Sequence, residues 1–299
     1  MRFTTWGMTG TLATEQPAAL DYASSRLWHW LGAIDAACNR FRHTSELSRL
    51  NDRPGETIGV SATLELAVRA ALDAAAKTNG LCTPTVLSAL AAWGYDRDYD
   101  EIRGRDDWTA PPATFVPATE GVELDVDAHT IRLEPGCQLD LGASAKSLVV
   151  DLVANELADR GGVVVEVGGD VAVRGRGPEG PWVIGISDTL RLGGDEPRVA
   201  IAGGGVATSS LTSRTWRVAG EVVSHIIDPR SGAPASGPYA TATVAAANCV
   251  TANAFATAAL LWGEEAPYFI AQAGWSARLV RHDGAVVYVG GWPTDGAGS

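Results

Sequence analysis

Positive charge is scarce in this sequence: 23 Lys and Arg stand against 35 Asp and Glu, a formal balance of −12. The longest basic cluster, around Arg40 and Arg42, is short and mixed with acids, which excludes a nucleic-acid footprint. An acidic surface also disfavours anionic membranes, so a phosphate-bearing ligand must be held in a pocket by backbone amides, a cation or a few placed side chains. Long apolar runs are missing as well. No stretch approaches the roughly 20 apolar residues of a membrane span, and the opening MRFTTWGMTGTL lacks the continuous apolar core of a signal peptide. A cytoplasmic protein without membrane insertion is expected. Cys38, Cys82, Cys137 and Cys249 are far apart, with no Cys-x-x-Cys pair and no His at ligand spacing. That excludes a zinc site and a disulfide framework, and predicts four small buried thiols.

What is present is enough apolar material, 46% of 299 residues, to bury a substantial core. Residues 17–38 carry Leu20, Leu27, Leu31 and Ile34 at helical spacing. A second helix is predicted over 61–78, where Ser61 can cap and Asn79-Gly80 stops the run. Residues 97–120 are charged and then Pro-rich, which predicts an irregular surface excursion. Short alternating runs at 122–126 and 130–133 predict a hairpin turning at 127–129. A helix over 144–160 follows, then strands at 163–167, 171–174, 182–186 and 199–202, a helix over 251–262 and a strand pair within 278–289. Gly-rich stretches at 191–196 and 203–205 are expected to be loops. Strands mix with helices without regular βα alternation, so the fold class is α+β, with mostly antiparallel or mixed sheets flanked by helices, in one domain over 1–299.

Four runs carry chemistry. In Leu139-Asp-Leu-Gly-Ala-Ser-Ala-Lys-Ser-Leu-Val-Val-Asp151 a strand end passes through Gly142 into a helix. A helix start offers unpaired amides to a phosphate, and Lys146 adds a point charge; an ordinary glycine turn with a solvent-facing lysine explains the run equally well. In Glu166-Val-Gly-Gly-Asp-Val-Ala-Val-Arg-Gly175 a Gly-Gly-Asp turn joins two short strands, and the double glycine would let backbone pass close to a flat ligand. The third run, Ala207-Thr-Ser-Ser-Leu-Thr-Ser-Arg-Thr-Trp216, is followed by Ser224-His-Ile-Ile-Asp-Pro-Arg-Ser-Gly-Ala-Pro234. It supplies hydroxyls, an arginine and His225, which can take a proton near neutral pH; a strand ending in an Asp-Pro turn with a core histidine is the alternative. In Thr251-Ala-Asn-Ala-Phe-Ala-Thr257, Asn253 and Thr257 share a helix face. Their oxygens suit a magnesium ion near phosphates, although a helix cap and buried small residues account for most of the run. A serine hydrolase built on Ser209, His225 and Asp228 is disfavoured, because no Gly-x-Ser-x-Gly elbow surrounds Ser209.

In this order, and with Met8-Thr-Gly-Thr11, Phe41-x-x-x-Ser45-Glu-Leu-Ser-Arg-Leu-Asn51, Asn79-Gly80-x-x-x-Pro84-Thr85 and Trp93-Gly94 ahead of them, the runs resemble the ApbE family of FAD:protein FMN transferases. The resemblance implies an ApbE-like fold and a Mg2+-dependent split of FAD, used as substrate, in which AMP leaves and FMN is joined through a phosphoester to a Thr or Ser of an acceptor protein. It makes His225 the base and Lys146 its catalytic partner on the phosphates. Met8, Asn51, Asp140, Gly142, Lys146, Asp151, Gly168, Gly169, Asp170, Thr208, Ser209 and His225 fall in the segments around the dinucleotide. The metal would be held by the backbone near Ala143 together with Asn253 and Thr257. The family usually has Asp-x-x-x-Thr where this chain has Asn253-x-x-x-Thr257, so the implied metal site is short of one carboxylate. A Mg2+-dependent FAD pyrophosphatase and a non-catalytic FAD-binding protein are the competing implications.

Overall fold

The computed structural model describes residues 1–187 and 196–294. The chain forms two compact units, one of Met1–Leu31, Lys146–Ser210 and Pro238–Ser299, the other of Gly32–Ala145 and Leu211–Gly237. Neither is a continuous stretch of sequence.

The first unit is organised by an antiparallel sheet of, among the described residues, eight strands: β1 (Arg2–Thr5), β2 (Met8–Thr14), β3 (Val163–Val167), β4 (Asp170–Arg174), β5 (Gly203–Ser210), β6 (Tyr239–Ala246), β7 (Ser276–Arg281) and β8 (Val286–Val289). Their spatial order is their chain order, so each pairs with its neighbour in sequence. Antiparallel pairing needs only short turns between neighbours, and β3 and β4 are joined by Gly168 and Gly169 alone, with Val167 opposite Asp170. Both glycines have positive φ, 60° and 91°, the condition for a two-residue turn whose twist matches the flanking strands. The unit carries the helices α1 (Leu20–Cys38, which continues into the second unit), α2 (Ala145–Glu156, whose first residue belongs to the second unit), α3 (Cys249–Trp262) and α4 (Ala266–Gln272). α1 buries Ala23, Leu27, Leu31 and Ile34 on one face, the spacing the sequence predicts. Its Arg26 and Trp30 both donate to Glu156 of α2, from Nε at 2.6 Å and from Nε1 at 2.8 Å. α3 is buried along nearly its whole length and lies on β5 and β6. A helix that is apolar all round belongs in an interior.

One expectation fails in this unit. Gly203, Gly204 and Gly205 form the start of β5 instead of a loop. The reason is close approach: a Cβ at Gly205 would overlap the backbone of Cys249 at the start of α3. Glycine in a strand interior often marks such a contact. The Gly-rich loop expected at 191–196 lies, but for Glu196, outside the described residues.

The second unit holds a three-stranded antiparallel sheet in which Val122–Asp125 and Thr130–Leu133 form the predicted hairpin, with His129 at φ 52° in its turn. The helix Ala62–Lys77 begins at Ser61, whose hydroxyl accepts from Leu64 N. A cluster of Leu90, Tyr95, Ile102, Val116, Trp216 and Val218 forms its apolar centre. Residues 97–120, expected to be an irregular surface excursion, include the short helix Tyr99–Ile102 and send apolar side chains into the interior. Ile102 is 0% and Val116 8% exposed, Trp108 packs on the same cluster, and Trp108 Nε1 donates to Ala92 O at 2.8 Å. Single apolar anchors separated by charges leave no periodicity to detect.

All four cysteines are free and buried. Burial pushes the Cys38 thiol up to about 12, which makes it inert at neutral pH.

Candidate active site

In the first unit the sequence candidates converge around the start of α2, the Gly-Gly turn and one face of α3. Met8 in β2 packs on the turn, where a Cβ at Gly168 would come within 2.5 Å of its Sδ. Gly169 N donates to Glu166 Oε1 at 3.0 Å. Asp170, the first residue of β4, is 1% exposed. Its Oδ1 accepts from Asn253 Nδ2 at 3.1 Å, and its Oδ2 lies 3.8 Å from Lys146 Nζ. Burial raises the Asp170 carboxyl above the usual carboxylate range, a shift that Lys146 and Asn253 oppose. One turn along α3 from Asn253, Thr257 Oγ1 meets Ser209 Oγ at 3.0 Å, and the neighbouring Thr208 hydroxyl meets Thr243 at 2.9 Å.

Asp151, expected beside the dinucleotide, is engaged elsewhere. Its Oδ1 and Oδ2 accept from Cys249 N at 3.0 Å and Val250 N at 2.9 Å, the first amides of α3, and Arg174 Nη2 stands 3.3 Å from Oδ1. A carboxylate suits the positive end of a helix and satisfies two of its orphan donors. This carboxylate positions the helix that carries Asn253 and Thr257.

In the second unit Asn51 and Asp140 shape the turn that leads to Ala143. Asn51 donates from Nδ2 to Leu139 O at 2.9 Å and accepts from Leu139 N at 2.8 Å. Both faces of its amide are thus committed to one backbone residue, so it acts as a clamp. Asp140 Oδ1 accepts from Gly142 N at 2.8 Å, and Ser144 N and Ala145 N bond to Leu141 O. Three amides expected to be open to a phosphate are therefore already used in the turn. His225 follows the strand Glu221–Ser224, half-buried, with its backbone N–H donating to Arg214 O at 3.2 Å.

Sequence reasoning passed over Arg40 as a member of a basic cluster. Its guanidinium is buried, pairs through Nε with Asp140 Oδ2 at 2.5 Å, and lies 4.0 Å and 4.6 Å from the ring centroids of Phe41 and Tyr95. No local signal announces this, because Asp140 is a hundred residues away.

The donor set on α3 suits a hard divalent cation. Among the described residues no group of three His, Cys, Asp or Glu could hold a metal. Asn253 and Thr257 offer neutral oxygens, and the carboxylate bonded to Asn253 is Asp170, whose buried Oδ2 accepts no hydrogen bond. Oxygen ligands with an anionic member are what Mg2+ takes.

A model of the ApbE family matches residues 4–279. The chain belongs to the ApbE family. A Rhodobacter capsulatus protein named FAD:protein FMN transferase is 32% identical over 248 residues, 81% of this chain. A Vibrio cholerae protein of the same name is 29% identical over 250 residues, again 81% of this chain. The chain spans 47% of the length of the first relative and 74% of the second. Among solved structures, the ApbE protein of Thermotoga maritima superposes with a TM-score of 0.82 over 97% of this chain and 96% of that one, at 24% identity. The apo flavinyl transferase ApbE of Pseudomonas stutzeri gives 0.81 over 97% and 93%, also at 24% identity. At that identity these two share the ApbE fold. No helix among the described residues is long and apolar enough to cross a membrane.

Proposed function

We propose that this ApbE-family chain is a cytoplasmic, Mg2+-dependent flavin transferase that cleaves FAD, releases AMP and joins FMN to a Thr or Ser hydroxyl of an acceptor protein. The observation that carries the reading is the placement of Lys146, the Gly168-Gly169 turn, Asp170 and Asn253 in one cluster of a chain whose relatives are named for this reaction. Phosphoryl transfer needs charge neutralisation and alignment more than covalent help from the protein. Lys146 supplies a positive charge at the phosphates. His225 removes the proton from the acceptor hydroxyl, a role for which imidazole is suited near neutral pH. Asn253 and Thr257 would hold the metal, and a bound Mg2+ would supply Lewis-acid stabilisation of phosphate charge.

Intact-mass measurement of a co-expressed acceptor tests the reading. A gain equal to FMN minus water supports it. Free FMN with unmodified acceptor assigns a pyrophosphatase instead, and FAD that stays bound and unchanged with Mg2+ present assigns a binding protein.

A further inference from the structure

We infer that Asp170 supplies the anionic oxygen of the divalent-cation site, in place of the carboxylate that position 253 lacks. The inference rests on the transferase reading for the presence of a metal, and on Asp170 itself for the rest. Asp170 is 1% exposed, and a buried carboxylate is ordinarily satisfied on both oxygens. Here Oδ1 has the Asn253 amide, whereas Oδ2 is shielded from solvent and accepts no hydrogen bond. Its nearest cation, Lys146 Nζ, is 3.8 Å away, beyond hydrogen-bond length. Oδ2 thus has an ammonium at ion-pair distance but no hydrogen-bond donor, which leaves its lone pairs available to a hard cation.

The pairing with Asn253 gives the inference its second leg. An amide and a carboxylate joined at 3.1 Å are close to interchangeable in shape, and exchanging them moves the charge without changing its sum. Since the amide uses its N–H on Asp170, Oδ1 of Asn253 is its remaining ligand atom. Neutral oxygens from α3 and one anionic oxygen from β4 then form the set that two oxygens from α3 alone would form with Asp at 253.

The test is equilibrium Mn2+ binding to the full chain with FAD present and acceptor absent, read by the EPR signal of free Mn2+. It compares the wild type, Asp170→Asn, Asn253→Asp and the exchanged double variant, with the metal-free melting temperature as the check on folding. Asp170→Asn is expected to weaken Mn2+ by at least about 10–100-fold, the scale of losing an outer-shell partner alone. The exchanged double variant is expected to recover most of that loss. Asn253→Asp alone sets two carboxylates side by side, so it is expected to lower the metal-free melting temperature and to tighten Mn2+. Unchanged affinity in Asp170→Asn overturns the inference. Where that variant does not fold, unchanged affinity in Asn253→Asp overturns it in the same way. FMN transfer by a wild type whose Mn2+ affinity ignores Asp170 removes this site and leaves the transferase reading intact. Asp170-dependent Mn2+ binding without any FMN transfer does the reverse.

Discussion

Asp151 and Cys249 are joined by a hydrogen bond of 3.0 Å that ties the side chain of α2 to the first amide of α3, and Val250 N completes the bidentate contact at 2.9 Å. Truncation leaves two buried amides without their acceptor and removes the Asp151 contact of Arg174 Nη2. Asp151→Ala is expected to destabilise the protein by about 2–4 kcal/mol, the scale of one lost cap plus a buried unsatisfied donor. Urea denaturation measures it, and a loss below about 0.5 kcal/mol, the scale of ordinary surface substitutions, would contradict the role.

The same carboxylate predicts a pH dependence. Burial raises the Asp151 carboxyl, with the two amides and Arg174 opposing the shift. A carboxyl whose folded pKa exceeds its unfolded value binds its proton more tightly when folded. Its contribution is therefore greatest below the ordinary carboxylate range and declines as pH rises through the raised value. Asp170 is raised in the same direction, also by burial. Above the ordinary carboxylate range, Asp170→Asn is expected to flatten the fall in metal-free stability with rising pH. Melting curves across that window decide it; an unchanged slope places the pH dependence on other groups.

His225→Ala is expected to keep FAD binding and lose FMN transfer. Removing a general base typically costs about 10²–10⁴-fold in rate. Full transfer by the variant takes His225 out of the mechanism, and a large fall in melting temperature would instead mark it as a packing residue.

Lys146→Ala is expected to weaken FAD binding by about 1.5–3 kcal/mol, as for the loss of a charge-assisted contact. It also strands the Asp170 carboxylate, 3.8 Å from the ammonium, so metal-free stability should fall as well. Lys146→Arg should restore the stability more fully than the affinity, since a planar fork does not reproduce a point charge. Fluorescence titration with FAD separates the two; unchanged FAD affinity in Lys146→Ala would leave the lysine a purely structural ion-pair partner.

Asn51→Ala is expected to cost about 1–3 kcal/mol, because the Leu139 amide and carbonyl both lose their buried partner. Asn51→Asp should recover only the bond from Leu139 N and set a carboxylate against Leu139 O. Comparing the two variants by denaturation distinguishes a backbone clamp from a ligand contact, since a residue that only touched FAD would leave unliganded stability unchanged.

Elements whose cause lies within a few residues were legible from the sequence. The α1 stripe of Leu20, Leu27, Leu31 and Ile34, the Ser61 cap, the turn at His129 and the Gly168-Gly169 hairpin each follow from side-chain period or backbone freedom. The order of the chemistry-bearing runs was legible too, and it led to the family. What tertiary structure decided are the contacts between distant segments. Asp151 reaches the start of α3 across 98 residues, and Asn253 reaches Asp170 across 83. Neither partner shows locally, because only the sheet order brings β4, β5 and the face of α3 together. The same packing turns Gly203–205 from an expected loop into a strand, since α3 comes too close to β5 for a Cβ at Gly205. Sequence period governs which face of an element is apolar; the identity of the atom opposite each polar group is set by how those faces stack.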